Sequence, residues 1–269
     1  MAMEGDNMVD VEIICVGNEL LIGRILNTNA QWLARRVTSL GATVKRILIV
    51  GDDVDEIASS IVDSLQRKPK FIIITGGLGP TFDDKTLAGI ANALNRSLVL
   101  NEKALQMIKE KYAEIGEPEL TPHRMKMAML PDGADPLPNP LGTAPGVSIK
   151  VNDIFIFALP GMPSEMEAIF ESSIAELIKK TTGGSTFYEA TIRVEGLLES
   201  KLAPIIEAVI HDNPQVYVKS HPKGDFRKPD IEIHLSTVAR SSSDAKAILG
   251  RAILQLSELI KERGGKVKI

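Results

Sequence analysis

The run Phe71–Thr86, FIIITGGLGPTFDDKT, limits the possible folds more than any other stretch of this chain. It opens on Phe71-Ile72-Ile73-Ile74, a short apolar run rich in β-branched residues, which predicts a buried strand of a parallel sheet. Thr75-Gly76-Gly77-Leu78-Gly79-Pro80-Thr81 follows at once. Glycines at 76, 77 and 79 permit a tight turn, or bring backbone N–H groups close to a ligand where a Cβ would interfere. Asp83 and Asp84 come next, and a helical pattern begins through Thr86, Leu87, Ile90, Ala91 and Leu94. The order is strand, glycine-rich turn, acidic helix entry. Ligands of open α/β sheets bind at the carboxyl ends of strands, and glycines beside a helix N-terminus suit phosphate.

Two common phosphate motifs fail here. In G-x-G-x-x-G read from Gly77 and Gly79, the last glycine falls on Phe82. A P-loop read over Gly79–Thr86 places Asp84 where the second glycine is needed, and a carboxylate there repels phosphate. An aspartate beside a phosphate cradle fits better as a metal ligand or a base. The plainer alternative is that Asp83 or Asp84 caps the following helix.

Length and composition set outer bounds. The chain has 269 residues, enough for one large domain or one domain and a smaller one. A net charge of −4 argues against nucleic acid as the main partner. Cys15 is the only cysteine, so an intramolecular disulfide is impossible and a buried thiol is expected. The leader Met1–Asp10 is acidic and has no apolar core, unlike a signal peptide. No apolar stretch approaches the roughly 18 residues that span a membrane, so a cytoplasmic protein is expected.

Along the chain, Val11–Val16 reads as a first strand, ending at the loop Gly17-Asn18-Glu19-Leu20-Leu21-Ile22-Gly23. Asn27-Thr28-Asn29 offers N-caps for a helix through Trp32, Leu33, Arg36, Val37 and Leu40. Thr43–Val50 is a second strand, followed by Gly51-Asp52-Asp53, with Asp53 or Asp55 capping a helix over Glu56–Gln66. Strands and helices alternating at this spacing predict right-handed βαβ units in one parallel sheet. Asn101–Ile115 is a further helix, and Thr121-Pro122 opens a short one carrying His123, Arg124 and Lys126. The run Leu130–Gly146, rich in proline and glycine, is read as a rigid binding loop inside the domain. Val147–Val151 and Ile154–Leu159 then form a hairpin about Asn152-Asp153. The second strand ends in Pro160-Gly161-Met162-Pro163-Ser164-Glu165, where Pro163 or Ser164 starts a helix.

Thr181–Ser185 marks the expected boundary, giving domains over residues 9–182 and 186–269. The second reads as strand, helix, two strands and a helix, a small α+β domain. Its basic cluster His221-Pro222-Lys223-Gly224 with Arg227-Lys228 is read as an exposed hairpin rather than a ligand loop. The layout permits a KH-like nucleic-acid module, but the G-x-x-G signature is absent there.

Taken together, these stretches resemble a known family. Gly17-Asn18-Glu19-Leu20-Leu21 with Gly23 and Asn27-Thr28-Asn29, then Thr75–Thr81 with Asp83, Asp84 and Thr86, are similar to the molybdopterin-binding MoaB/MogA-like fold of the CinA-like proteins. Asn139–Gly146 and Leu159–Met166 add two more CinA-like signatures. The resemblance covers roughly residues 11–180, and more weakly the tail. Longer CinA proteins carry a further domain that deamidates nicotinamide mononucleotide; this chain ends before it, and that activity is not carried over.

The resemblance implies a three-layer α/β/α sandwich with a mostly parallel sheet, often a homo-oligomer, binding a nucleotide or pterin phosphate. For the CinA-like branch it implies a metal-dependent pyrophosphatase acting on ADP-ribose or related dinucleotides, with Mg, Mn or Co as the divalent ion. For the MogA-like branch it implies adenylyl transfer to molybdopterin; those chains are shorter and usually carry threonine where this one has Leu78. A non-catalytic nucleotide or pterin sensor is the third reading. Family aspartates match Asp52 and Asp84, expected to hold the metal or position water. Gly76, Gly77 and Gly79 are expected to supply donors, with Gly17, Asn18, Thr75, Pro80 and Thr81 around them. Glu19, Asn29, Gly142, Thr143, Gly161, Pro163 and Ser164 complete the expected pocket.

Overall fold

The apolar run after Asp10 forms β1 (Asp10–Val16), buried from Val11 onward. In the computed structural model, which describes residues 9–223 and 229–268, β1 lies between two parallel partners. The chain leaves β1 through α1 (Asn18–Leu21) and α2 (Thr28–Ser39), and returns as β2 (Thr43–Val50) beside β1. α3 (Val54–Arg67) then crosses to β3 (Phe71–Thr75) on the other side of β1, and α4 (Thr86–Ala93) leaves β3. All five residues of β3 are buried, as a run flanked by neighbours on both faces requires.

An excursion follows: β4 (Leu98–Leu100), α5 (Glu102–Glu114), α6 (Pro122–Lys126) and β5 (Met129–Pro131), with β4 and β5 paired antiparallel. β6 (Asp135–Leu137), β7 (Gly146–Val151) and β8 (Ile154–Leu159) then complete a six-stranded sheet in the order β2-β1-β3-β8-β7-β6. β8 pairs parallel to β3, while β7 and β6 run antiparallel. The carboxyl ends of β1, β2, β3 and β8 therefore share one edge, where the glycine loops were expected. The Leu130–Gly146 run is not all loop, since it also supplies β6. Pro136 is tolerated there because β6 is an edge strand. Helix α7 (Pro163–Ile169), a π turn over Phe170–Ile174 and α8 (Ala175–Thr181) close this unit. Trp32 meets Phe170 edge to face at 5.3 Å.

Local caps settle the alternatives left by the sequence. Asp53, not Asp55, caps α3, its Oδ1 accepting from the N–H of Asp55 and Glu56. Asn27 accepts from the Ala30 N–H at 3.0 Å and so caps α2, which releases Asn29 for other work. Neither Asp83 nor Asp84 caps α4; the cap position is Lys85 and no side chain bonds there.

One buried charge sits in the sheet. Glu12 of β1 is only 2% exposed. Arg67 of α3 grips it with two hydrogen bonds of 2.7 Å, and the Ser64 hydroxyl donates at 2.6 Å. Burial pushes the Glu12 carboxyl up, but the bonds from Arg67 and Ser64 and the charges of Arg67 and Arg46 outweigh it and hold it below the usual range. A depressed carboxylate contributes stability above its unfolded value, and the contribution is lost as pH falls through the folded one. Arg67→Met is expected to destabilise the fold at pH 7 by about 3 kcal/mol, because the carboxylate stays buried without its partner. The cost should shrink toward pH 4 as Glu12 protonates; thermal melts at the two pH values check this.

The described residues divide into two compact units, the first ending at Thr182 but without Ser39–Gly41, and the second made of Ser39–Gly41 and the residues from Gly183 onward. The second contains β9 (Thr186–Glu195), α9 (Glu199–Asp212), β10 (Tyr217–Pro222), β11 (Asp230–Ala239), α10 (Ser242–Glu262) and β12 (Lys266–Lys268). Its antiparallel sheet has the order β10-β11-β9-β12, and β11 alternates buried and part-exposed residues over most of its length. Gly224, Arg227 and Lys228 of the basic cluster lie outside the described residues, as does most of the acidic leader. Among the described residues no helix is long and apolar enough to cross a membrane.

Candidate ligand site at the carboxyl edge of the sheet

The turn after β3 is built around two glycines with positive φ. Gly76 has φ of 103°, and a Cβ on it would stand 2.2 Å from the Val16 carbonyl oxygen. Gly77 has φ of 64°, with the Thr86 hydroxyl 2.5 Å from where its Cβ would be. Buried Thr86 donates that hydroxyl to the Gly76 carbonyl and its N–H to the Gly77 carbonyl, fastening α4 to the turn. Gly76 donates its N–H to the Leu159 carbonyl. Among the described residues the N–H groups of Gly77, Leu78 and Gly79 donate to no protein acceptor. Consecutive unpaired N–H groups in a turn are the usual means by which backbone holds an anion.

Asp84 folds back onto this loop. Its Oδ2 accepts from the Thr81 N–H at 2.8 Å and faces the Thr81 hydroxyl at 2.6 Å. The same hydroxyl reaches Asp83 Oδ1, and its one proton serves one carboxylate at a time. That hydroxyl first, then Asp83's own N–H and the charges of Lys126 and Lys85, hold the Asp83 carboxyl below the usual range. Gly79 is needed because the Asp84 carboxylate lies 2.7 Å from where its Cβ would be. Lys126 of α6 donates to the Thr81 carbonyl and so ties down the loop tip.

Neighbouring strand ends add further walls. Glu19 lies against Gly17, its Oε1 2.5 Å from the position of an added Cβ. Asn18 and Asp52 clasp each other, Asn18 N–H to Asp52 Oδ2 at 2.9 Å and Asp52 N–H to Asn18 Oδ1 at 3.3 Å. Asn29 donates its Nδ2 to the Thr75 hydroxyl and to the Gly161 carbonyl, and Thr75 donates onward to the Pro160 carbonyl. Asn139 is buried, with Oδ1 accepting from the Leu141 and Gly142 N–H groups and Nδ2 donating to the Ala144 carbonyl and to Glu165 Oε2.

These parts enclose one cavity of about 530 Å³, in the range of small-molecule sites. Of the expected residues, Thr75, Gly76, Gly77, Gly79, Pro80 and Asp84 line it from the β3 side. Glu19, Asn29, Thr143, Gly161 and Pro163 line it from the other loops. Gly17, Asn18, Thr81, Gly142 and Ser164 do not line it, and neither does Asp52. Asp52 stands behind the wall, where its bond to Asn18 sets the loop that carries Glu19. Sequence reasoning did not pick out Glu165, which lines the cavity from the first turn of α7, or its partner Asn139. It also missed an apolar rim of Ile25, Leu26 and Met162, of which Leu26 is 85% exposed. Glu165 sits inside the PGMPSE motif and could have been found there as the carboxylate entering the cavity.

The resemblance implies a divalent metal. Among the described residues no three His, Cys, Asp or Glu side chains converge into a metal cage. Mg²⁺ rarely needs one: it keeps waters and takes one or two carboxylates with substrate phosphate oxygens. The carboxylates of Asp84 and Glu19 in one cavity fit an ion that arrives with a diphosphate, not a dedicated cage.

Residues 12–180 match the family described as "Probable molybdopterin binding domain". The chain belongs to this molybdopterin-binding domain family. Its CinA-like character agrees with a solved structure, the protein CinA "with unknown function" from Thermoplasma acidophilum. The two are 42% identical with a TM-score of 0.60, covering 64% of this chain and 99% of that one. Similarity extends beyond the family domain. A protein of Pyrobaculum calidifontis is 46% identical over 93% of this chain and 95% of its own length. One from Aeropyrum pernix is 44% identical over 95% of each. The small second unit is therefore shared with these relatives.

Proposed function

We propose that this molybdopterin-binding domain protein hydrolyses the diphosphate bond of a nucleotide such as ADP-ribose, with a divalent ion. The observation that carries the reading is the turn after β3, where unpaired N–H groups at Gly77, Leu78 and Gly79 stand next to the Asp84 carboxylate on one cavity. Donors of this kind bind diphosphate oxygens and stabilise charge that develops on them during displacement. Asp84, held by Thr81 against Gly79, faces the cavity with an acceptor that can ligate a cation or orient a water. Glu19 is the second carboxylate on the same cavity, and Asp52 positions it through Asn18. A divalent ion bound there would offset the diphosphate charge and acidify a bound water.

A pure binding role fits less well, because carboxylates beside a phosphate cradle repel the ligand unless a cation intervenes. A second reading, adenylyl transfer to molybdopterin, is favoured by the family description alone. One experiment separates them. Purified protein is incubated with ADP-ribose, NAD and FAD, with and without Mg²⁺, Mn²⁺ or Co²⁺, and the nucleotide products are resolved. AMP that appears only with metal is the expected result. No turnover of any of the three overturns the hydrolase reading; AMP transferred from added ATP, with pyrophosphate leaving, only when molybdopterin is supplied establishes the second.

A further inference from the structure

The cavity has two chemically opposite sides. The β3 turn offers unpaired donors, whereas the first turn of α7 offers a carboxylate acceptor. Glu165 lines the same cavity four residues beyond Gly161. Asn139 holds its Oε2 at 2.7 Å, and Oε1 has no partner among the described residues. The carboxylate enters the Asn139–Ala144 loop only because residue 142 is glycine: a Cβ there would lie 2.0 Å from Oε2. A buried amide and a backbone gap both spent on one carboxylate make a built position rather than a solvated surface acid.

We infer that Glu165, positioned by Asn139, selects ligands whose part beyond the diphosphate presents hydrogen-bond donors. A carboxylate accepts and never donates, so it rewards hydroxyl or amino hydrogens and repels phosphate. The vicinal hydroxyls of a sugar and the amino edge of a pterin share this chemistry. Inorganic pyrophosphate has none of it. The inference rests on the diphosphate reading of the β3 turn but concerns a different wall of the cavity.

The test is calorimetric binding of three probes without added metal, so that none is hydrolysed: inorganic pyrophosphate, ADP-ribose and 6-hydroxymethylpterin diphosphate. Wild type is compared with Glu165→Gln, which keeps shape and removes charge, and with Gly142→Ala, which keeps the charge and displaces the carboxylate. Losing a hydrogen bond to a charged acceptor should weaken at least one donor-bearing probe by about tenfold or more. Pyrophosphate should bind as in wild type or more tightly. Whichever of ADP-ribose and the pterin responds identifies the donor group. Equal factors for all three probes, no change for both donor-bearing probes, or no binding of any probe to wild type would each overturn the inference. Failure of the hydrolase reading appears separately, as absence of AMP, and leaves these affinity ratios readable.

Discussion

Asp84→Asn is expected to cut metal-dependent AMP release by at least about a hundredfold while the chain stays folded. The substitution is nearly isosteric, and one oxygen remains to accept from the Thr81 N–H, now made at 2.8 Å. The stability change should stay below about 1 kcal/mol, the size of one ordinary hydrogen bond. What disappears is the negative charge on the cavity side of the loop, and with it a cation ligand or an acceptor for a water proton. Parallel melting curves and AMP release measure the two effects. Metal-free diphosphate binding should hold or tighten, because a like charge has been taken from beside the phosphate cradle. Turnover at the wild-type rate would remove Asp84 from the machinery and leave the loop as an anion site alone.

Gly76→Ala is expected to be the most damaging small substitution in the first unit, costing about 3–5 kcal/mol. Two penalties add. An alanine at φ of 103° is strained, and its Cβ would meet the Val16 carbonyl oxygen at 2.2 Å. That oxygen belongs to β1, held by parallel partners on both sides, so it cannot give way as a side-chain tip would. Moving residue 76 instead breaks its bond to the Leu159 carbonyl and the Thr86 bond to its own carbonyl. Gly23→Ala is the control: φ is 69°, but nothing lies within 4 Å of the added Cβ. It should cost only about 1 kcal/mol, from backbone strain alone. Chemical denaturation of the two variants decides whether close approach or dihedral strain dominates. Equal losses would mean that the contact with Val16 relaxes freely.

Much of the fold was legible because its signals are local. Val11–Val16 and Phe71–Thr75 are apolar runs too short for helices and flanked by turn residues, so their burial and parallel pairing followed. Asn152-Asp153 named its hairpin, and Thr121-Pro122 its helix start, from residue chemistry alone. Short elements escaped for the opposite reason. β4, β5, β6 and β12 have three residues each, too few to show a period, and exist because a neighbouring strand offers unpaired backbone. Asp53, rather than Asp55, as the cap of α3 was likewise beyond sequence, since both stand within reach of the same helix start.

The candidate site divides along the same line. Sequence alone determined that the chain has glycine-bearing loops after successive strands, that they meet on one sheet edge, and that the β3 loop carries acid beside its glycines. Those statements need only residue types, their spacing and the handedness of βαβ units. Tertiary structure alone decided which acids reach the cavity. Asp84 enters because Gly79 leaves it room, Asp52 is turned away by its clasp with Asn18, and Glu165 enters through the gap at Gly142. Each outcome depends on the fit of a side chain against backbone distant in sequence, a contact that exists only once the strands have come together.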